Sequence, residues 1–359
     1  MSKRVLFTGG GTAGHVTPNM ALIDALKAKH WDIHYVGSAT GIERQLIEPL
    51  NIPFHGIKTG KLRRYFSWQN FIDPAFIVWG FLQSLWLCVR LQPDVVFSKG
   101  GFVAVPLVIA AWVCRIPVIS HESDMTPGLA NKLCFPFSRW ICVNFPQTAE
   151  HLPVGKVVVT GSPVRSSLVH GDPSRGQAEL GLTGEKPLLL VFGGSLGANV
   201  INRIVRQSLA ALLEQFDLVH VVGAGNLDSN LDARLGYVQR EYIHDGFGDV
   251  LAAADLVISR AGANSIYELL ITRTPHILVP LTAAASRGDQ LINAKIFQQA
   301  GMSEVLLEDQ LSQSALLSSV RKVYSQRAEI AVRLAAFEVR DSVAVITGLI
   351  GQAAGEAAS

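Results

Sequence analysis

The stretch LFTGGGTAGHVTP, residues 6–18, decides the fold. A short apolar run precedes a cluster of glycines with the spacing G-x-G-x-x-G, the pattern in which a strand turns sharply into a helix. Thr17 and Pro18 are typical of the N-cap and first turn of that helix. Glycines allow close backbone approach, and the amides of a helix start favour an anion. The stretch therefore predicts the opening strand, loop and helix of a parallel α/β domain.

The same stretch raises the question of a dinucleotide cofactor. A dinucleotide site needs an acidic residue at the end of the second strand, about 20 residues past the glycines, to bind a ribose. That strand ends HYVGSAT, residues 34–40, and has no carboxylate. A nicotinamide-dependent oxidoreductase is therefore disfavoured. His15 lies at the mouth of the loop, where open α/β sheets place their chemistry, although a loop histidine that only makes a hydrogen bond would look the same.

Short β-branched runs alternate with helical patterns along the chain, which predicts two Rossmann-like halves with parallel sheets. In the first half the predicted strands are Val5–Thr8, Ile33–Gly37, Val95–Ser98, Val118–Ser120, Ile141–Val143 and Val157–Thr160. In the second half they are Leu188–Phe192, Leu218–Val222, Leu256–Ser259 and His276–Val279. Prolines and glycines near residues 161–171 indicate a linker. We predict an N-terminal domain over residues 1–163, a C-terminal domain over 164–339, and a final segment 340–359 with a helix over residues 342–354.

Composition disfavours several classes of protein. The 359 residues carry a formal net charge of +2, and the scattered basic residues give no reason to expect nucleic acid as a partner. The four cysteines form no C-x-x-C pair, so we expect reduced thiols, no disulfide and no metal site. The N-terminal MSKRVLF lacks the long apolar segment of a signal peptide, which favours a cytosolic chain.

The apolar stretch FIDPAFIVWGFLQSLWLCVRLQP, residues 71–93, looks at first like a membrane span. A helix over residues 75–89 would be about 22 Å long, which is short of the roughly 30 Å hydrocarbon core. Apolar residues on all sides of the helix exceed what one buried face needs, although a core helix is the alternative. The preceding KTGKLRRYFSW, residues 58–68, has the basic and aromatic composition of a surface that binds anionic lipid. We therefore expect peripheral contact with an anionic membrane surface.

Two stretches of the second half place polar residues after predicted strands. In SRAGANSIYELL, residues 259–270, Asn264 or Ser265 is predicted to open a helix. Ser265 and Glu268 have the spacing of a capping box. Alternatively, Glu268 would bind a ribose diol while the amides and the helix dipole hold a diphosphate. In PLTAAASRGDQLINA, residues 280–294, the side chains that would bond sugar hydroxyls, or simply face water, are Asp289, Gln290 and Asn293.

Six motifs occur in order along the chain: GGGTAGHVTP, GGFVAVP, HESDMTPGLANK, TGSPVR, GGSLGA and SRAGANSIYE. Together they resemble the MurG family, the N-acetylglucosaminyltransferases that convert lipid I to lipid II in bacterial peptidoglycan synthesis. The resemblance covers nearly the whole chain. It implies the GT-B fold, an α/β fold in which two Rossmann-like domains face each other across a cleft, with the acceptor side N-terminal and the donor side C-terminal. It also implies that the final helix crosses back to the first domain.

The resemblance implies an inverting transfer of N-acetylglucosamine from UDP-N-acetylglucosamine to lipid I at the cytoplasmic face of the cell membrane. A GT-B glycosyltransferase with another lipid acceptor, such as diacylglycerol, would have a similar donor half and is the alternative. Other cell-wall synthesis proteins are implied as partners. No tightly bound cofactor is expected, and no D-x-D pair suits a metal-bridged diphosphate, so a divalent cation would at most stimulate the reaction.

The family's functional residues map onto matching positions of this sequence. The implied donor contacts are Arg165 and Ser195 at the diphosphate, Ile243 at the uracil, Ala263, Asn264, Ser265, Ile266 and Tyr267 as helix-start amides, Glu268 at the ribose, Gln290 at the sugar, and Thr12, Ala13 and Gly14 near the reacting centre. His15 is the first candidate for the base that takes the acceptor proton, because a neutral imidazole suits that role, and Glu122 is the second. Asp124 stands where many members have an asparagine that contacts the donor sugar, so a charge replaces an amide.

Overall fold

The structure is a computed structural model that describes residues 2–60, 69–182, 184–194, 197–232, 234–243, 246–283, 286 and 288–356. The chain forms two compact units. The first contains Met1–Arg165 together with Arg340–Ser359, and the second contains Ser166–Val339.

Each unit is built on one parallel sheet. The strands are β1 (Arg4–Thr8), β2 (Asp32–Ser38), β3 (Phe54–Ile57), β4 (Val95–Ser98), β5 (Val118–Glu122), β6 (Trp140–Val143), β7 (Val157–Val159), β8 (Leu188–Phe192), β9 (Asp217–Val221), β10 (Tyr237–Arg240), β11 (Leu256–Ser259), β12 (His276–Leu278) and β13 (Glu304–Val305). The strand order is β3-β2-β1-β4-β5-β6-β7 in the first sheet and β10-β9-β8-β11-β12-β13 in the second. The order reverses between β1 and β4 and between β8 and β11, and open α/β sheets bind ligands at such points. The prediction of two parallel Rossmann-like halves is confirmed.

Helices connect the strands. They are α1 (Thr17–Ala28), α2 (Ile42–Ile47), α3 (Gln69–Leu91), α4 (Ala104–Val113), α5 (Leu129–Cys134), α6 (Ser166–Val169), α7 (Pro173–Leu180), α8 (Asn199–Gln207), α9 (Leu209–Leu213), α10 (Phe247–Ala253), α11 (Ala263–Thr272), α12 (Asp289–Gln299), α13 (Gln313–Ser325), α14 (Arg327–Ala335) and α15 (Ser342–Ala353). Short 3-10 turns lie between several of them, and one, Ala13–His15, directly precedes α1.

The first sheet is covered on both faces. Successive side chains of a strand point to opposite faces, so β1 contributes to two core clusters. Val5 and Phe7 pack in one cluster with side chains of α1 and with Ile346 and Ile350 of α15. Leu6 packs in the other cluster with residues of α3 and α4. The last helix of the chain therefore completes the core of the first unit.

Two predicted helix starts are wrong. Val16 is the N-cap of α1, while Thr17 is its first residue and donates its hydroxyl to the carbonyl of Ala13 instead of capping. Gly262 is the N-cap of α11, so Ser265 is the third helical residue and Ser265 and Glu268 form no capping box. Gly262 takes an extended conformation (φ −67°, ψ 139°), which lets the helix begin earlier than its first good capping side chain.

Three strands of the structure were not predicted from the sequence. β3, β10 and β13 have the sequences FHGI, YVQR and EV, which lack an uninterrupted apolar run. β3 and β10 lie at one edge of their sheets, and β13 lies at the other edge of the second sheet. Edge strands are less buried than central ones, so the hydrophobic signal that identifies a central strand is weak there.

The cysteines and the apolar helix fit the described fold. All four thiols are free, and burial raises the pKa of Cys88, Cys134 and Cys142 to about 12. The apolar stretch forms most of α3. Within the described part of the chain, none of the helices combines the length and the apolar character needed to cross a membrane.

Candidate functional site

The glycine loop after β1 folds the chain back onto the sheet. Gly11 has φ +84°, a left-handed conformation that favours glycine. A Cβ on Gly9 would lie 2.4 Å from the carbonyl oxygen of His15 and 3.0 Å from Cβ of Lys99. Only glycine fits between these two groups. The loop therefore sets the turn that carries His15 directly beside the end of β4.

A buried carboxylate occupies the inside of this loop. Glu43, in the first turn of α2, is fully buried and accepts hydrogen bonds from the amides of Gly11 (3.2 Å) and Ser38 (2.7 Å). The amide of Gly11 is thus satisfied within the protein. This geometry gives a physical reason against a dinucleotide phosphate at the loop, because it would meet a fixed negative charge. Sequence reasoning missed Glu43, which lies five residues past the end of β2 rather than on it.

His15 lies in the 3-10 turn that precedes α1. Its side chain is half-buried, and its Nδ1 lies 2.9 Å from Oγ1 of Thr12. When Nδ1 carries the proton and donates a hydrogen bond to Thr12, Nε2 carries the ring's basic lone pair. That tautomer is the one a general base needs. Thr12, Ala13, Gly14 and His15 are therefore brought together in one short turn after β1.

Glu122, the second candidate base, organises a loop. It ends β5, is buried, and accepts hydrogen bonds from the amides of Asp124 and Gly128 (both 3.0 Å) and from Nδ2 of Asn131 (2.9 Å). A carboxylate with three donors is stabilised as an anion and holds residues 122–128 in place. With 4% of its surface exposed, Glu122 offers an acceptor hydroxyl little access to its remaining lone pair. The geometry favours His15.

Lys99 follows β4 and is buried at the same edge of the sheet, with 1% of its surface exposed. Its ammonium donates to Nδ1 of His121 (2.7 Å) and to Oγ of Ser123. His121 in turn donates from Nε2 to the carbonyl of Gly161 (3.0 Å). Burial and the neighbouring Lys99 hold the pKa of His121 well below its usual range, so this ring is neutral. Sequence reasoning did not single out Lys99.

In the second unit, a three-residue loop joins β11 to α11. Its N-cap is a glycine, which has no side chain to accept from the first helical amides. Asn264, Ser265 and Glu268 are partly exposed, whereas Ile266 and Tyr267 are buried in the core. The buried pair therefore has only backbone atoms to offer a ligand. A helix start whose N-cap residue has no side chain carries partial positive charge and suits an anion.

Arg260 fixes the loop before α11. It is buried, pairs with the carboxylate of Glu308, and donates to the carbonyl of Val279 at 3.2 Å. These contacts tie the end of β11 to the segments that follow β12 and β13. Arg260 thereby holds in place the loop from which α11 begins.

The helix α12 contributes one further polar group to this edge. Gln290 accepts the amide of Leu281 at Oε1 (3.0 Å), so its Nε2 is the atom suited to a sugar hydroxyl. Asn293 is completely buried and donates to the carbonyl of Ala261 (3.3 Å). Asn293 therefore joins α12 to the loop after β11, and the expectation that it bonds a sugar or faces water is wrong.

The implied site residues lie at the carboxyl ends of strands within each unit. The turn 12–15 follows β1 and Asp124 follows β5, while Ile243 follows β10, residues 263–268 follow β11 and Gln290 follows β12. This is the edge where open α/β sheets bind ligands. Arg165 is the last residue before the second unit begins. Ser195 lies outside the described residues, as does most of the basic and aromatic segment, and the ligand contacts of all these residues stay predictions.

Comparisons with known proteins cover the whole chain. The sequence model of the glycosyltransferase family 28 N-terminal domain matches residues 5–141, and that of the glycosyltransferase family 28 C-terminal domain matches residues 188–345. A UDP-N-acetylglucosamine--N-acetylmuramyl-(pentapeptide) pyrophosphoryl-undecaprenol N-acetylglucosamine transferase of Legionella pneumophila (strain Paris) is 48% identical over 355 residues, which are 99% of this chain and 98% of the relative. The enzyme of the same name from Lachnoclostridium phytofermentans is 51% identical over 348 residues, 97% of this chain and 98% of the relative.

Solved structures share the fold. Acinetobacter baumannii MurG superposes with a TM-score of 0.76 at 24% identity and covers 98% of this chain and 99% of its own. The calicheamicin glycosyltransferase CalG4 superposes with a TM-score of 0.70 at 14% identity over the full length of both chains. Together with the two parallel sheets, these neighbours confirm the predicted GT-B fold class.

Proposed function

Since the chain belongs to glycosyltransferase family 28 and, within it, to the MurG family of N-acetylglucosamine transferases, we propose that it moves N-acetylglucosamine from UDP-N-acetylglucosamine to lipid I. The product is lipid II, a precursor of peptidoglycan. The observation that carries this proposal is identity near one half over almost the full length of both chains, across both units. No tightly bound cofactor is part of the proposal, and a divalent cation enters it only as a stimulating ion.

The donor is proposed to bind at the edge of the second sheet. The first amides of α11 would receive the diphosphate, and the carboxylate of Glu268 would accept hydrogen bonds from the ribose hydroxyls. Gln290 would donate from Nε2 to the sugar, and Ile243 would meet the uracil through its backbone. Arg165 would add positive charge at the diphosphate, which matters most as UDP leaves.

The reaction is proposed as a single displacement with inversion. The hydroxyl of lipid I attacks the anomeric carbon, the bond from that carbon to the diphosphate oxygen breaks, and UDP departs with the electron pair. His15 Nε2 takes the hydroxyl proton, which requires the tautomer in which Nδ1 donates its hydrogen bond to Oγ1 of Thr12. The helix-start amides and Arg165 stabilise the charge that develops on the leaving diphosphate.

The membrane surface is proposed as a partner of α3. Trp79, Leu82 and Trp86 are spaced by three and four residues and so share one side of the helix. The guanidinium of Arg90 lies 4.8 Å from the ring of Trp86, so a cation accompanies an aromatic ring on the same helix. Large apolar side chains of α3 that are more than one third exposed are Phe76, Val78, Trp79, Leu82, Trp86 and Val89. We propose peripheral binding at the cytoplasmic face, where a lipid-linked acceptor is reached, with other cell-wall synthesis proteins as neighbours.

The proposed reaction is tested with radiolabelled UDP-N-acetylglucosamine and a lipid I analogue. We expect label to appear in a disaccharide lipid with release of UDP. Diacylglycerol serves as the matched alternative acceptor in a parallel reaction. Transfer to diacylglycerol and none to the lipid I analogue would replace the proposed acceptor.

The membrane contact is tested by vesicle flotation. Trp79→Ser combined with Trp86→Ser removes two exposed rings of α3, so we expect less protein to float with phosphatidylglycerol vesicles than for the wild type. The matched control is Val332→Ser on α14, another exposed apolar residue, which should float like the wild type. Equal recovery of the wild type with phosphatidylglycerol and phosphatidylcholine vesicles would contradict an electrostatic contribution.

A further inference from the structure

A buried ammonium lies at the carboxyl edge of the first sheet, and none of the roles proposed so far uses it. Lys99 directly follows β4 and is 1% exposed. It donates to two neutral acceptors, Nδ1 of His121 at 2.7 Å and Oγ of Ser123. Two neutral acceptors satisfy hydrogen bonds but do not compensate a charge, and a buried lysine is costly without an opposite charge. The compensating charge must come from a neighbour.

The neighbours that supply it are two carboxylates of one loop. Glu122 and Asp124 both act electrostatically on Lys99 and favour its charged form. Glu122 already accepts three hydrogen bonds that hold the loop. Asp124 is next in the chain to Ser123, which accepts directly from the ammonium. Lys99 thus anchors the loop at the residue beside Asp124.

The same lysine lies against the turn that carries His15. A Cβ on Gly9 would lie 3.0 Å from Cβ of Lys99 and 2.4 Å from the carbonyl of His15, so Gly9 is the spacer between them. The amide of Lys99 also donates to the carbonyl of Thr8 at the end of β1 (2.9 Å). One residue therefore connects the glycine loop and the loop of Asp124.

We propose that Lys99 is a positioning residue of the transfer reaction: its ammonium holds the loop of Ser123 and Asp124 beside the turn of His15 and offsets the negative charge of that loop. This inference rests on the proposed function. A carboxylate with no compensating cation at this edge of the sheet would oppose the negative charge that develops on a departing diphosphate, and the ammonium offsets that effect.

The test is a double-mutant cycle in the full-length protein. Lys99→Gln removes the charge but keeps an amide that donates to Ser123, and Lys99→Met removes both. We expect Lys99→Gln to lower kcat/KM for UDP-N-acetylglucosamine by about tenfold or more. Combining Lys99→Gln with Asp124→Asn should recover about tenfold of that loss, a coupling typical of residues in one interaction network. Ser123→Ala is the matched control, since it removes one acceptor and no charge, and it should lose only a few-fold. Losses that simply multiply, or a Lys99→Gln variant equal to the wild type, would overturn the proposal.

The pH profile adds a signature that a purely structural lysine would not give. Burial lowers the pKa of Lys99 to about 8. The groups that face it are His121, Glu122, Asp124 and Cys142. The pKa of the His121 imidazole lies far below 8, and that of the Cys142 thiol is about 12, so neither of these two groups titrates near pH 8. We therefore expect wild-type kcat/KM to fall as the pH rises through 8, and the Lys99→Gln profile to lack that alkaline limb. A limb of the same size in both proteins would argue against Lys99.

An unfolding cycle separates this inference from the proposed function. The free energies of unfolding of the wild type, Lys99→Gln, Asp124→Asn and the double variant need no substrate. Coupling between the two positions is expected there as well, and additive effects would refute the charge pairing. A wild type that transfers nothing to the lipid I analogue would refute the proposed function instead, and the role of the pair in transfer with it.

Discussion

Both units turn a strand into a helix through glycines, yet different groups meet the amides at the two junctions. After β1, the amide of Gly11 donates to the carboxylate of Glu43, so the protein supplies its own anion. After β11, the N-cap is Gly262, and a Cβ placed there would have no atom of the described residues within 4 Å. One pattern therefore gives a junction filled by an internal carboxylate and a junction with room for a ligand. Glycine spacing predicts the backbone turn but not what the amides bind.

The largest expected effect concerns chemistry at the first junction. If His15 at this junction removes the proton of the acceptor hydroxyl, His15→Ala should lower kcat by roughly a hundred- to ten-thousand-fold. The affinity for UDP should stay unchanged, because only the base is removed. Steady-state kinetics with the lipid I analogue and calorimetry with UDP measure the two quantities. Thr12→Val, which removes only the partner of Nδ1, should lose less activity. Activity of His15→Ala within a few-fold of the wild type, beside an inactive but folded Glu122→Ala, would move the base to Glu122.

The next effect concerns nucleotide binding at the second junction. Glu268→Gln should weaken UDP-N-acetylglucosamine binding by about ten- to a hundred-fold, since hydrogen bonds to a charged group contribute roughly 1.5–3 kcal/mol. Isothermal titration calorimetry gives the dissociation constant directly. The matched control is Glu43→Gln, the same change at the first junction, which should leave the affinity as it is. The comparison of the two junctions breaks down if the Glu43 variant loses the nucleotide and the Glu268 variant keeps it.

A smaller effect concerns stability at the first junction. In Glu43→Gln one carboxylate oxygen becomes an NH₂ group, which cannot accept from Gly11 or Ser38. A buried amide loses its partner, so we expect the free energy of unfolding to fall by about 1–3 kcal/mol. Urea unfolding at neutral pH measures this change. An unchanged midpoint and slope would show that Glu43 does not hold the loop closed.

The smallest effect is a pH dependence in the sheet that carries the second junction. Burial lowers the pKa of His276, on β12, to about 4, and its Nε2 lies 2.6 Å from Oγ of Ser303. The unfolded chain binds this proton near pH 6.5 and the folded chain only near 4, so stability falls as the pH drops through that window. The slope from this one residue is at most about 1.4 kcal/mol per pH unit. Unfolding free energies at pH 7, 6 and 5 should show a shallower slope for His276→Gln, and equal slopes would contradict the assignment.

The sequence was sufficient for the central strands and the order of motifs. Strands such as β8 and β11 are short apolar runs buried on both faces, and their predicted bounds match the structure. Edge strands such as β3 were missed because the histidine and glycine of FHGI interrupt the apolar pattern. The implied site residues could be placed only through the resemblance, because glycine loops and helix starts look alike whatever they bind.

Sequence reasoning could not identify side chains that contact a loop far away in the sequence. Glu43 and Lys99 are distant in sequence from the loops they support, and no local spacing connects them to Gly11 or Ser123. The start of α11 was misplaced because capping preferences of side chains cannot reveal a glycine that adopts the N-cap conformation. The sequence predicts that Asn293 bonds a sugar hydroxyl or faces water, whereas the structure shows it as an interior hydrogen-bond donor. Such pairings depend on which segments the fold brings together.

The place of α15 has a consequence for how the protein is made. Ile346 and Ile350 fill the hydrophobic interior of the first unit, and Arg340 donates to the carbonyl of Val159 at 2.8 Å. These residues leave the ribosome only after the whole of Ser166–Val339 has emerged. Part of the hydrophobic interior of the first unit therefore stays exposed while the second unit can already fold. This order is the reverse of the usual one, in which N-terminal domains fold first during synthesis. A premature stop just before Ser342 would leave that interior permanently open to chaperones and proteases.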